Sequence, residues 1–561
     1  MKLLLKNGTI INVFTDSLEK ADILIENEKI IGVGKYDDND ADVVEDVSGK
    51  YISPAFIDGH IHIESTMLTP YELAKICLPC GTVNIFADPH EIANVCGVDG
   101  IRYMLQASEG LPMNVYINLP SCVPATPFDE SGACLGADEL KALYAEERVV
   151  GLAEMMNYPA VIYGDKAVAD MLFDAHSNGR IVDGHAPMLS GKALDKYISA
   201  GIQSDHECSS FEEAREKLSK GQWIMIRQGT AARNLSALLP LFEEPYNRRC
   251  LLVTDDRHPA DIVNEGHIDN IIRQAISLGV SPLVAVRMAT IQAAQCFGLS
   301  YVGAIAPAYR ADILVLDDLD SVSVQDVYSR GRKVVDNKTV VGFDAPEVDI
   351  ALRDTVYNSF HLNKLSSSDF YIEPKSNSCR VIKVLSGELV TEELKLEINW
   401  DNNNGIDLER DILKLAVIER HKNTGHIGLG FISGIGLKKG AIASSVSHDS
   451  HNLIVIGTND EDMAIAANHI RSVGGNVVVC DGKIIAQMPL VLGGLMTDEP
   501  ADKIAKKNAE VRSAVYDLGV PSDIEPFMNM AFVSLPVIPK IKMTTLGLVD
   551  VDNWCQVSLY L

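Results

Sequence analysis

Five apolar runs in the first half of this chain each stop at side chains able to hold a metal ion. They are F-I-D-G-H-I-H at His60 and His62, V-V-G-L-A-E at Glu154, R-I-V-D-G-H at His185, A-G-I-Q-S-D-H at His206 and C-L-L-V-T-D-D at Asp255. Segments with helical patterning lie between them. Strand and helix in alternation predict parallel βαβ units, and the parallel strands of a closed barrel all end on one rim. Ligands dispersed in sequence then converge in space. On an extended backbone the two imidazoles of H-x-H share a face, and borderline divalent metals accept imidazole nitrogen and carboxylate oxygen together. A lone H-x-H would fit a surface pair or a satisfied core histidine equally well; the series is what points to a metal.

Eight apolar runs fit between Pro54 and about Leu299, ending at His62, near Glu91, near Cys122, at Glu154, at His185, at His206, near Thr230 and at Asp255. That number closes an α/β barrel of (β/α)8 type over residues 54–300. Residues 1–53 read as short β runs with turn signals, and residues 301–345 resume the same texture. A-D-I-L-I-E, starting at Ala21, echoes A-D-I-L-V-L, starting at Ala311, so the two flanks are expected to pair. Residues 346–378, with Asn358 to about Ser378 rich in Ser, Asn and Lys, read as a linker, and 379–561 as a further α+β domain with Gly-rich turns.

The ligand series, taken together, resembles the amidohydrolase superfamily over nearly the whole chain. Its adenine-deaminating members are the nearest in pattern. The likeness rests on D-P-H-E at Asp88 to Glu91, on Glu154 where many relatives have a carboxylated lysine, and on a long C-terminal extension containing S-V-S-H-D-S-H-N. It implies a TIM-like barrel beside a small β-sandwich built from both flanks. It also implies two divalent metal ions, Mn2+ or Fe2+, with Zn2+ fitting the same donors: His60, His62 and Asp255 on one, His185 and His206 on the other, Glu154 bridging. The implied reaction is attack of metal-activated hydroxide on C6 of adenine, giving hypoxanthine and ammonia in purine salvage. Asp255 would relay a proton to the leaving amine and Glu91 would serve ring N1. Asp88 would accept from a purine N–H, and His90 would orient a carboxylate or water. Relatives of this kind imply a homodimer.

Other readings remain at this stage. A related barrel with a glutamate ligand hydrolyses an acetamido sugar, so an N-acetylglucosamine-6-phosphate deacetylase-like amide hydrolase is the enzymatic alternative. A scaffold that keeps the fold without metals is the non-catalytic one, but such chains break the ligand set, which is complete here. H-x-E at His62 and Glu64, followed by Pro79-Cys80, imitates the zinc deaminases of nucleosides. Val83 stands where their second thiolate is required, so the match is accidental, and Cys77 and Cys80 read as helix packing. Ser447 to Asn452, S-H-D-S-H-N, has the composition of a surface turn or lid, with metal binding as the lesser reading.

Lys and Arg number 49 against 77 Asp and Glu, a net charge of −28, and that field opposes nucleic acid and anionic membranes. A neutral or cationic small substrate is easier to accept, and the adenine that the resemblance implies is neutral. No apolar run approaches the roughly 20 residues of a membrane span, and eleven scattered cysteines suit a reducing compartment. A cytoplasmic enzyme is expected.

Overall fold

The computed structural model describes residues 1–561 apart from Ala231 and Asn402. Eight parallel strands alternate with helices in the first half of the chain. Phe56–Ile61, Thr82–Ala87, Asn114–Leu119, Val149–Met155 and Ile181–Gly184 pair in chain order as one sheet, and Ser204–Asp205, Trp223–Arg227 and Cys250–Val253 as another. The N–H of Gln203 donates to the carbonyl of Val182, and Ile61 forms an isolated parallel bridge with Asp255. These strands are buried almost throughout, which is why they read as continuous apolar runs rather than alternating ones. Their core includes Ile57, Phe86, Met225, Leu251 and Val253, with Phe86 stacked on Phe297 at 3.7 Å between ring centroids.

All eight expected strands are present, with shifts at their ends. The second stops at Ala87, so His90 and Glu91 fall in the first turn of the helix His90–Ala107. Two glycines set how closely the strands approach. A Cβ on Gly59 would stand 2.4 Å from Leu251 Cδ1, and one on Gly184 2.2 Å from the carbonyl oxygen of Ser204.

The flanks join as the repeated A-D-I-L motif suggested. Tyr51–Pro54 pairs antiparallel with Ile313–Leu316, inside a nine-stranded sheet that takes strands from both flanks. Ile10, Ile23, Ile25, Ile52, Ile313 and Val315 make its core. Cys77 closes the helix Pro70–Cys77, and the Cys80 thiol donates to the carbonyl of Ile76, both packing roles.

By contact density the chain divides into two compact units. One comprises Met1–Pro89, Met104–Ser121 and Gly136–Glu347; the other comprises His90–Tyr103, Cys122–Leu135 and Val348–Leu561. A helix, Ile350–Tyr357, occupies part of the stretch read as a linker. The second unit is α+β. Its eight-stranded sheet carries the helix Asp460–Val473 against Ala441–Ser444, Leu453–Gly457 and Asn476–Cys480, and Asn459 caps that helix by accepting from the Asp462 N–H. Among the described residues no helix is long and apolar enough to cross a membrane.

Candidate metal centre

His60 lies in the first barrel strand and His62 directly after it, both buried. His60 Nδ1 is 3.0 Å from Asp183 Oδ2, and His62 Nδ1 is 3.1 Å from the carbonyl oxygen of Asp88. Both partners are acceptors only, so both rings donate from Nδ1 and keep a lone pair on Nε2. Those two Nε2 atoms face each other at 3.2 Å. Two lone pairs at that separation repel unless a cation or a proton lies between them and the carboxylates beyond. The arrangement fits a divalent metal.

Glu154, at the end of Val149–Met155, divides its two oxygens between two pairs of histidines. Oε1 is 3.3 Å from His62 Nε2 and 4.0 Å from His60 Nε2; Oε2 is 2.6 Å from His185 Nδ1 and 3.2 Å from His206 Nε2. Asp255 Oδ1 completes the first set, 3.1 Å from His62 Nε2 and 3.6 Å from His60 Nε2. Its backbone is left-handed at φ 59°, a conformation uncommon outside glycine that recurs at working sites. The donor sets His60, His62, Asp255 and His60, Glu154, His206 each gather within ligand range. These two sets hold five of the residues named from the sequence, and the sixth, His185, lies against Glu154 Oε2 and is grouped with His206 and Glu207.

The electrostatics follow from that packing. Burial opposes ionisation of Glu154, yet the charges of His185 and His206 hold its pKa well below the usual carboxylate range. Burial likewise opposes a charge on His60, and Asp183 and Asp255 outweigh it, so its pKa lies well above the ordinary imidazole value. For His62, Asp255 and Glu154 do the same. Without metal the centre holds protons among its carboxylates, and a bound cation would take their place.

Three partners were not singled out in the sequence. Asp183 orients His60. Arg227 Nη1 bridges Asp255 Oδ2 and Glu207 Oε1, each at 2.5 Å. Glu207 Oε1 itself lies 3.5 Å from His206 Nε2 and 3.7 Å from His185 Nδ1, which makes it a further potential ligand. A signal for Asp183 was present: the tripeptide D-G-H occurs at both Asp58 and Asp183. Asp58, fully buried, accepts from the Thr254 hydroxyl at 2.5 Å and lies 3.3 Å from His267 Nε2, bracing the same strand ends.

Of the D-P-H-E residues, Asp88 belongs to the first unit and offers its main-chain carbonyl to His62. His90 and Glu91 belong to the second unit, where they meet Ser447 to Asn452. Glu91 Oε1 is 3.3 Å from His448 Nδ1, Glu91 Oε2 is 3.9 Å from His451 Nε2, and His90 Nε2 is 3.9 Å from Asp449 Oδ1. The reading of 447–452 as a surface turn is corrected: all six residues are buried. Polar composition suggested exposure, but the side chains of Ser447, Ser450 and Asn452 bond to Ser534, Asp129 and Glu130, all distant in sequence.

The amidohydrolase family pattern matches residues 51–334, and that of the adenine deaminase C-terminal domain matches residues 388–555. An adenine deaminase of Clostridium acetobutylicum is 45% identical over 558 residues, covering 98% of this chain and 96% of its own. Adenine deaminase 2 of Carboxydothermus hydrogenoformans is 44% identical, covering 100% and 97%. Among solved structures, a β-aspartyl dipeptidase from Fervidobacterium islandicum AW-1 is 17% identical, with a TM-score of 0.49 over 61% of this chain and 100% of its own.

Proposed function

The chain belongs to the adenine deaminases of the amidohydrolase family, and from that premise we propose that it hydrolyses adenine to hypoxanthine and ammonia at the centre built around Glu154. The observation that carries the reading is the division of Glu154: one buried carboxylate presents one oxygen to each of two histidine pairs. An anion so placed suits two cations. We assign His60, His62 and Asp255 to one divalent metal, His185 and His206 to the second, and Glu154 to both, with Mn2+ or Fe2+ as the natural ions. The eight parallel strands form a closed (β/α)8 barrel over 54–300 in this reading. The flanking sheet of 1–53 and 301–345 supports it, and 379–561 forms the added α+β domain. A cytoplasmic homodimer is the assembly we infer.

Bound divalent cations supply Lewis acidity, which makes water a nucleophile at working pH. The chain's residues handle the protons. Asp255, held by Arg227 through one oxygen, takes a proton from the attacking water with the other. As the C6–O bond forms, the N1–C6 π pair moves to N1, which takes a proton from Glu91. Asp255 then gives its proton to the amino group; the C–N bond breaks and the pair leaves with ammonia. Loss of the C6 hydroxyl proton gives the carbonyl and restores Glu91. The Glu91 role rests on its place three residues after Asp88, whose carbonyl fixes His62; Asp88 and His90 are assigned to substrate and water orientation.

The test is ammonia release from adenine, adenosine, cytosine, guanine and N-acetylglucosamine 6-phosphate by protein loaded with manganese or ferrous iron. Release from adenine with about two metals per chain is expected. Release of acetate from the sugar phosphate instead would overturn the reading.

A further inference from the structure

The segment Ser447 to Asn452 is held more firmly than a connecting turn needs. His448 N–H donates to the carbonyl of Ala531 and His451 N–H to that of Ser447. Arg420 Nε donates to the carbonyl of His451, and His421 Nε2 lies 2.8 Å from that of Ser450. Ser450 Oγ donates to Asp129, and Asn452 Nδ2 to the carbonyl of Glu130 at 2.6 Å. Ser447 Oγ meets Ser534 Oγ at 2.5 Å, and the His448 ring stacks on Phe532 with centroids 4.5 Å apart. The outcome of this fixation is that His448 and His451 are presented to Glu91.

Glu91, His448 and His451 lie within ligand range of one another, but the hydrogen bonding of His451 argues against a third metal. Its Nδ1 accepts from the Ser447 N–H at 3.2 Å. A neutral ring whose Nδ1 lone pair is engaged carries its proton on Nε2 and has no lone pair there for a metal. Burial, and then the charges of His448, Arg420, His90 and His421, hold the His451 pKa well below the ordinary imidazole value, so the ring stays neutral. Its Nε2 is buried without a hydrogen-bond partner and points its proton at Glu91 Oε2, 3.9 Å away. Catalytic hydrogen bonds are often this long before substrate arrives and shorten in the complex.

We propose that His451 is a positioning residue for deamination: its Nε2–H holds Glu91 Oε2, so that the proton exchanged with the purine ring is carried on Oε1. A carboxyl group that accepts a hydrogen bond at one oxygen keeps its own proton on the other. When Glu91 gives that proton to N1, the charge left on the carboxylate is received by the same N–H. This deepens the reading above and rests on its assignment of Glu91.

The experiment compares steady-state kinetics of the metal-loaded protein carrying His451→Asn, His451→Gln, Glu91→Gln or Glu91→Gln with His451→Asn. Asparagine can keep the Ser447 contact but cannot reach Glu91; glutamine places an amide N–H where Nε2 stood. His451→Asn should lower kcat about tenfold or more, within the roughly 10²–10⁴-fold a positioned proton carrier contributes, with little change in KM. His451→Gln should restore most of it, and His451→Asn should add nothing in the Glu91→Gln background. Wild-type kcat in His451→Asn overturns the proposal, as does equal loss in both His451 variants with thermal unfolding unchanged, or a further loss in the double variant. Wild-type kcat in Glu91→Gln instead overturns the assignment of Glu91.

Discussion

Asp183 accepts from His60 Nδ1 at 3.0 Å, with both side chains buried, and this one contact decides which nitrogen of the ring faces the other ligands. Asp183 stays ionised against its burial because His60 stabilises the carboxylate. Asp183→Ala leaves the ring free to take the other tautomer. Metal affinity should fall on the order of 10–100-fold, the usual cost of losing such an outer partner, and metal titration of the metal-free protein measures it. Unchanged affinity would show that the tautomer is set elsewhere.

Glu154→Gln replaces one of the two opposed oxygens by an N–H that cannot ligate and that meets an imidazole or a cation. The variant should bind about one metal per chain and lose more than the roughly 100-fold that outer partners cost. Metal content and kcat on one preparation check it, and two retained metals with full activity would remove Glu154 from its bridging role.

Stability of the metal-free protein should fall as pH rises from about 6.5 to 9. Burial opposes a charge on His185, but Glu207 and Glu154 prevail and push its pKa up to about 9. The folded state thus binds a proton that the unfolded chain has lost above its ordinary pKa. That stabilisation is complete below pH 6.5 and gone above 9, an effect on the order of 1–3 kcal/mol. Metal ligation requires the neutral ring, so the metal-loaded protein should lack this slope. Thermal unfolding of both forms across the window tests the sign, and a metal-free protein that gains stability over it refutes the assignment.

Gly184→Ala would set a methyl group 2.2 Å from the Ser204 carbonyl oxygen. A backbone atom cannot step aside as a side chain can, so the strands must part, costing about 1–3 kcal/mol. A lowered Tm is expected, with metal binding weakened because His185 is the next residue. An unchanged Tm would mean the strand pair relaxes freely.

The parallel strands were legible, and so was the gathering of His60, His62, Glu154, His206 and Asp255, because each ends an apolar run, a coincidence that chance does not repeat five times in one half of a chain. Glu207 and Arg227 were not, because a glutamate after histidine or an arginine ending a strand looks the same in a solvated turn, and for Asp183 the only local signal was the D-G-H it shares with Asp58. The residues around His451 were misread for a related reason. Their burial comes from Arg420, His421, Asp129 and Ser534, some 30 to 320 positions away, and no local property of S-H-D-S-H-N reports that.

The chain passes between its two units five times, after Pro89, Tyr103, Ser121, Leu135 and Glu347. Neither unit is a continuous piece of chain, so cutting after Glu347 would leave His90–Tyr103 and Cys122–Leu135 without the rest of their unit. Timing during synthesis is affected as well. At roughly 5–20 residues per second, a ribosome makes those two segments on the order of ten seconds or more before the first residue of Val348–Leu561 emerges. Until then they lack the rest of their own unit while the first unit already has its strands, and it is in that interval that a nascent chain of this topology is most exposed to chaperones and to aggregation.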